Sequence, residues 1–392
     1  MKEGWRWYGP KDPVPLAHVR QAGATDVVSA LHDIYDGRVW PVDSIRAHQD
    51  MITKAGLTWS VVESIPVPHT VNLGNAEGRA ATERFIDTMR NVAECGIEVI
   101  CYNFMPIVDW TRTDLRYPAP NGGLALRFDA VAFAAYDLFV LERAGAANDW
   151  PADMLTKAEA AIKSMSSEEI ETLEETAIAG LPGAEGHHTR EGIRALIAEF
   201  DGMTEDDMRA NLVAFQQAVT PVAEELGVRI AIHPDDPPRP LFGIPRVVST
   251  ASDYDAMFAA TPSLANGVTL CTGSLGARAD NELAAMIRTL GPRIHFAHLR
   301  NVKRQEDGSF FEDDHLEGSS DMVEIVDLLL AEQRRRKAEG RADHTIPMRP
   351  DHGHLLLDDL EKVTFPGYSA IGRLKGLAEL RGVMRALERV HG

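Results

Sequence analysis

Four short apolar runs in the C-terminal half of the chain each end in a side chain that can hold a metal ion. They read RIAIHPDD with His233, GVTLCTGS with Cys271, RIHFAHLRN with His298 and IPMRPDHGH with Asp351. A buried strand cannot keep a polar residue at its last turn without a partner, because a stranded polar atom is costly. The same arrangement at four successive strands points to one shared centre. It would join two imidazoles, a thiolate and a carboxylate. The thiolate favours softer ions such as zinc or iron(II), while the carboxylate also accepts manganese. Structural zinc sites usually draw closely spaced pairs from one loop. Here successive candidates lie 27 to 53 residues apart, the layout of a centre that leaves coordination positions open for a substrate. The pattern is that of an enzyme.

Residues so far apart in sequence meet only if the elements carrying them converge. Strand-like runs fall at about 4–9, 26–31, 58–65, 99–106, 229–235, 268–274, 293–301 and 346–352. They are short, rich in Val, Ile and aromatics, and mostly continuous, as parallel strands covered on both faces are. Alternation puts Arg229, Ala231 and His233 on one face and Ile230 and Ile232 on the other. By the same rule Phe296 shares a face with His298, and Arg349 with Asp351. Segments 76–96, 204–226, 278–290, 318–339 and 374–390 carry helical spacing. Asp43 is a candidate N-cap, and Thr204 with Asp207 forms a candidate capping box. Eight such repeats predict a (β/α)8 TIM barrel, whose strand ends meet at one active face. The rival, an open doubly wound sheet, wants a glycine-rich phosphate loop after its first strand, and the sequence has none there.

Roughly 120 residues separate the fourth and fifth strands, far more than a normal βα connection. The expectation is a helical insertion over about 107–203 within a single barrel domain spanning 1–392. From Trp150 to Arg209 it holds 14 acidic and 5 basic residues, with helices expected near 151–164 and 166–179. Those helices are either a solvated acidic pair or a lid or subunit contact. His187 and His188 read as an exposed loop pair.

The net charge of −19 argues against nucleic acid, whose affinity comes from clustered Lys and Arg, and against an anionic membrane surface. The basic run 333–337 suits a helix end. No apolar run approaches the roughly 20 residues needed to span a bilayer, and the N-terminus lacks an apolar signal-peptide region. Cys95, Cys101 and Cys271 make a poor disulfide framework, so a reducing cytosol is expected. Cys95 and Cys101 read as small core filler. A symmetric homo-oligomer is the default.

The stretches WRWYGP at the start, HPDDPP at 233–238, LCTGS at 270–274, HLRN at 298–301, RPDHG at 349–353 and GYSAIGRLKGL at 367–377 resemble the D-mannonate dehydratase family of hexuronate catabolism. The resemblance runs end to end, insertion included. It implies a barrel that converts D-mannonate to 2-keto-3-deoxy-D-gluconate and water, using manganese(II) or iron(II). Carried over by motif, the ligands are His233, Cys271, His298 and Asp351, and the catalytic pair is His352 and Tyr368. The resemblance leaves open which of the pair is acid and which is base. Arg300, Arg349 and Arg373 are candidates to clamp a substrate carboxylate, with an interior ion pair as the alternative for Arg349. Tyr8 and Trp110 are candidates to flank the sugar, and Asp313, Asp314 and His315 to approach from the loop 302–317. Asp235 and Asp236 either orient His233 or shape the turn around Pro234 and Pro237. The competing readings are a divalent-metal barrel sugar isomerase or epimerase, and a non-catalytic protein that binds a sugar acid.

Overall fold

The computed structural model describes residues 1–178 and 189–391; His187 and His188 lie outside the described residues. Twelve strands occur among them: β1 Lys2–Arg6, β2 Asp26–Ser29, β3 Thr58–Glu63, β4 Val99–Tyr102, β5 Asp114–Pro118, β6 Leu124–Phe128, β7 Arg229–Ile232, β8 Asn266–Cys271, β9 Ile294–His298, β10 Asn301–Arg304, β11 Phe310–Asp313 and β12 Pro347–Arg349. Eight of them close into a barrel in the order β1-β12-β9-β8-β7-β4-β3-β2. Every barrel pairing is parallel. Each of the eight expected runs supplies one barrel strand, so the (β/α)8 expectation holds.

The wall has two faces with different work. Val28, Val61, Val99, Cys101 and Phe296 pack together as a buried inner cluster. Ile230, Ile232, Val268 and Leu270 belong instead to the large cluster shared with the surrounding helices. This is the alternation read from RIAIH and RIHFAH: Ile outward, Phe296 inward beneath His298. Their rings meet edge to face at 4.6 Å and 89°.

The helix Glu205–Leu226 opens with the expected capping box of Thr204 and Asp207 and stops at Gly227, whose φ of 68° suits a residue without Cβ. Asp43 is a correction. The helix Val42–Lys54 is entered through Pro41, which makes no side-chain cap, and Asp43 stands in the first turn, where its charge suits the dipole.

The insertion is also corrected, because it does not begin as helix. Residues 114–128 form the antiparallel pair β5–β6, turning near Asn121 and Gly122, whose φ is 82°. The pair joins β10 and β11 in a second, four-stranded sheet of order β10-β11-β6-β5. Since β10 and β11 follow directly on β9, this sheet lies beside the C-terminal mouth of the barrel. Helices Ala152–Ser164, Ser167–Ile178 and Arg190–Ala198 come after it.

Candidate active site at the barrel mouth

The four expected metal ligands arrive from four strand ends. His233 follows β7, Cys271 ends β8, His298 ends β9, and Asp351 stands two residues past β12. His233 Nε2 faces His298 Nδ1 at 3.1 Å, and with Cys271 Sγ these atoms all lie within 4.8 Å of one another. Asp351 borders this trio, with Oδ2 at 3.9 Å from Cys271 Sγ and 3.7 Å from His298 Nδ1. Asp351 holds a φ of 63°, an uncommon conformation for a residue with a side chain. Two facing imidazole nitrogens beside a sulfur are unfavourable unless a proton or cation sits among them. The donor set therefore fits a divalent ion.

Cys271 is buried and opens the short helix Thr272–Gly276, where its sulfur accepts from Ser274 N at 3.4 Å and Ser274 Oγ at 3.2 Å. Burial raises its pKa, but Arg300 and His233 outweigh this and hold the thiol well below its ordinary range. It is a thiolate poised to ligate.

Around the cluster runs a shell of buried ion pairs. Glu63, at the end of β3, accepts from Arg349 Nη2 at 2.7 Å and Nε at 3.0 Å. Its Oε2 also lies 3.4 Å from both Arg6 Nη1 and His298 Nε2. Arg349 Nε also donates to His298 Nε2 at 3.2 Å. Burial opposes ionisation of Glu63, yet Arg349, His298 and Arg6 together pull its pKa well down. Across the mouth, Arg112 pairs with Asp236 Oδ1 at 2.7 Å and Glu312 Oε1 at 2.8 Å. Arg300 also pairs with both carboxylates. Its Nε approaches Asp351 Oδ2 at 2.8 Å as an ion pair rather than a hydrogen bond.

His352 and Tyr368 meet beside Asp351. Their rings touch edge to face at 5.1 Å and 88°. Tyr368 is fixed by a parallel bridge to Gly353, and Gly353 N donates to Gly367 O at 2.8 Å. Gly367 has φ 77°, and a Cβ there would lie 3.1 Å from the His352 ring. His352 Nδ1 lies 3.1 Å from Glu312 Oε1. A carboxylate accepts only, so Nδ1 carries the hydrogen, and in the neutral ring Nε2 is then the bare nitrogen. Burial, with Arg349 opposing it, raises the Tyr368 pKa, so Tyr368 keeps its phenolic proton.

Several of the expected substrate contacts already have partners within the protein. The Arg349 fork is engaged by Glu63 and Asp351, the interior ion pair that was its alternative reading. Arg300 is engaged by Asp236, Glu312 and Asp351. Arg373 donates to three carbonyls, those of Ser369, Arg6 and Tyr368, and lies 4.1 Å over the Trp5 ring. All three guanidinium groups are thus engaged within the protein, and none among them has a free fork. His315 holds the Pro350 carbonyl at 2.7 Å, which braces the Asp351 loop from behind. Asp314 pairs with Lys375, away from the trio. Asp235 accepts from Val248 N and Ser249 Oγ, both at 2.8 Å, so it shapes the turn and does not reach His233. Tyr8 and Trp110 do come to the site: Tyr8 edges Tyr368 at 5.0 Å and Trp110 edges His352 at 5.9 Å.

Sequence reasoning missed Glu63, Arg112 and Glu312. Glu63 carries the same signal as the ligands, a polar residue closing the run TWSVVE, and it was open to discovery. Arg112 and Glu312 were not, because their pairing spans 200 residues.

Strand-end chemistry at the mouth of a closed parallel barrel is the mark of the (β/α)8-barrel enzymes. Within that class, the chain belongs to the D-mannonate dehydratase family, whose model, described as D-mannonate dehydratase (UxuA), matches residues 1–392. It is accordingly a hydro-lyase. Mannonate dehydratase 2 of Agrobacterium fabrum is 54% identical over 389 residues, covering 99% of this chain and 98% of that protein. Mannonate dehydratase of Chromohalobacter salexigens is 51% identical over 391 residues, covering 100% of each. The crystal structure of mannonate dehydratase from Streptococcus suis serotype 2 superposes with a TM-score of 0.78 at 32% identity, covering 100% of this chain and 95% of that one. A D-tagatose 3-epimerase-like protein, at TM-score 0.52 and 11% identity, shares the fold alone. No helix among the described residues is long and apolar enough to cross a membrane.

Proposed function

We propose that the chain dehydrates D-mannonate to 2-keto-3-deoxy-D-gluconate and water. The observation that carries this reading is the trio His233, Cys271 and His298 bordered by Asp351, set beside the touching rings of His352 and Tyr368. A divalent ion, manganese(II) or iron(II), held by these four residues would supply Lewis-acid stabilisation of charge developing at the substrate carboxylate.

This chain's own residues do the proton work. The proton on the carbon beside the carboxylate passes to bare His352 Nε2, and the released pair forms the bond to the next carbon. The hydroxyl on that carbon departs with the Tyr368 phenolic proton and leaves as water. The enol that remains takes the proton from His352 at the carbon that lost its hydroxyl and gives its own O–H proton to the Tyr368 phenolate, so the keto acid forms and both residues return to their starting states. Glu312 holds His352 in the tautomer that makes it a base. Tyr368, its pKa raised by burial, is suited to the acid role. The shell of ion pairs keeps these buried groups in place.

Anaerobic turnover of D-mannonate by metal-stripped protein, with manganese(II), iron(II) or zinc(II) restored separately, tests the reading. A 2-keto-3-deoxy acid formed with manganese or iron supports it. No product with any metal, from protein that binds one ion tightly, refutes it.

A further inference from the structure

His32 takes no part in the chemistry above, yet its setting is that of a ligand contact. It follows β2 by three residues, at the start of the single turn His32–Ile34, on the face of the barrel that carries the site. Both ring nitrogens are buried, and neither has a hydrogen-bond partner among the described residues. Buried polar atoms are nearly always paired, and each exception calls for a reason. Burial, followed by Arg6 and His48, holds the ring well below the usual imidazole range. It is therefore neutral, with one N–H to give and one lone pair to receive.

The neighbours of His32 tie it to the catalytic pair. Its ring lies 5.0 Å from that of Tyr8, which in turn edges Tyr368. On Tyr35 it stacks at 5.7 Å and 26°, and the Tyr35 hydroxyl bonds Ser64 Oγ at 2.6 Å, one residue past Glu63. Tyr35, Ser64 and Asn103 line an open cleft of about 370 Å³ at the ends of β3 and β4. Tyr8 Oη and Trp110 Nε1 are also buried without partners among the described residues. Unpaired polar atoms thus stand at His32, whose ring packs on both Tyr35 of the cleft and Tyr8, and beside each member of the catalytic pair.

The ligand chemistry follows from what a neutral imidazole offers. A carboxylate only accepts, so it would satisfy the N–H and repel the lone pair. A hydroxyl both donates and accepts, and satisfies either nitrogen. We propose that His32 binds a hydroxyl on the polyol tail of the substrate, beyond the two reacting carbons, and so sets which sugar acids are accepted. The inference rests on the sugar-acid dehydratase reading above.

The test compares kcat/KM of the wild type and His32→Phe on D-mannonate and on its 4-deoxy, 5-deoxy and 6-deoxy analogues. Sites built to hydrogen-bond a hydroxyl reject the analogue lacking it by large factors, so the wild type should lose roughly 100-fold or more on one analogue. His32→Phe should lose comparably on D-mannonate and little further on that same analogue. His32→Asn, which keeps a donor and an acceptor, should recover part of the loss, whereas a packing role would favour Phe. Bound metal should be unchanged in both variants. An equal loss by His32→Phe on all four substrates, or no loss, overturns the assignment; should that variant not fold, His32→Asn with an unaltered analogue profile and reduced stability does the same. A wild type inactive on D-mannonate would instead sink the dehydratase reading, and this inference with it.

Discussion

Replacing Glu63 by Gln probes the buried shell at the residue the sequence reading overlooked. The swap keeps shape and removes one charge, placing an amide N–H₂ against Arg349 and Arg6, which are themselves donors. Breaking a buried ion pair by neutralising one partner costs about 3–5 kcal/mol. Arg349 keeps Asp351 and Arg6 keeps the Glu63 carbonyl, so the low end, about 3 kcal/mol, applies. At about 2.1 cal/mol/K per residue over 392 residues, the unfolding entropy is roughly 0.8 kcal/mol/K, and Tm of the metal-free protein falls by about 4 °C. A second effect is separable. His298 loses the carboxylate that lies 3.4 Å from its Nε2, and removal of such a partner weakens metal binding by about 10- to 100-fold. Scanning calorimetry of stripped protein measures the first and competition with a metal indicator the second. The control is Glu94→Gln, which breaks the exposed Arg46–Glu94 pair at 2.9 Å and should cost less than about 1 kcal/mol. If Glu63→Gln matches that control in Tm and binds metal as the wild type does, the shell does not organise the site as argued.

Three further outcomes follow from the same geometry. His352→Asn and Tyr368→Phe should each retain metal and lose about 10²- to 10⁴-fold in kcat; near-normal turnover of either variant removes that residue from the catalytic pair. Cys271→Ser should bind zinc and iron(II) far more weakly while manganese(II) suffers less, since only the thiolate selects soft ions; equal losses across the three metals, by competition assay, would contradict a ligating sulfur. His295 offers a pH test away from the cluster. Its Nε2 lies 2.9 Å from the Leu264 carbonyl, and burial lowers its pKa to about 3. Because the folded value lies below the unfolded one near 6.5, the unfolded chain binds the proton more readily. The stability from the neutral ring is present above about pH 6.5 and is lost as pH falls toward 3. Between pH 7 and 5 the loss is about 2 kcal/mol. Urea unfolding of His295→Gln should show a shallower fall over that window, and an unchanged slope refutes the assignment.

The barrel and the convergence of the candidate ligands were legible because local pattern and global geometry agree there. In RIAIH the alternation assigns Ile230 and Ile232 to the helix side and His233 to the mouth, and nothing distant needs to be known. The β5–β6 pair was legible in principle, since Asn121, Gly122 and Gly123 mark a turn between strand-like runs, but helical spacing further along dominated the reading. The arginines illustrate what sequence cannot yield. Arg300, Arg349 and Arg373 stand where a carboxylate clamp would be sought, and only the fold reveals that Glu312, Glu63 and three backbone carbonyls already occupy them. Whether a charge is free depends on partners up to hundreds of residues away.

Those partners also bear on which substrate the site suits. Of the ion pairs that surround the trio, the cations are Arg6, Arg112, Arg300 and Arg349, and the anions are Glu63, Asp236, Glu312 and Asp351. Four stand against four. The Cys271 thiolate leaves one negative charge over, and a divalent cation would turn that into one positive charge. A monoanionic sugar acid brings the total to zero, whereas a neutral aldose or ketose leaves an unbalanced charge in a buried site, where it is costly. The charge pattern therefore favours a sugar acid over the neutral sugars an isomerase would take. In the metal-loaded enzyme, D-mannonate should inhibit turnover of a deoxy analogue far better than D-mannose or D-mannitol does. At 4 Å and an effective dielectric near 20, one charge pair is worth about 4 kcal/mol, so even half of that predicts a preference of roughly 30-fold. Equal inhibition by the neutral sugars would show that the carboxylate is not what the site is charged to receive.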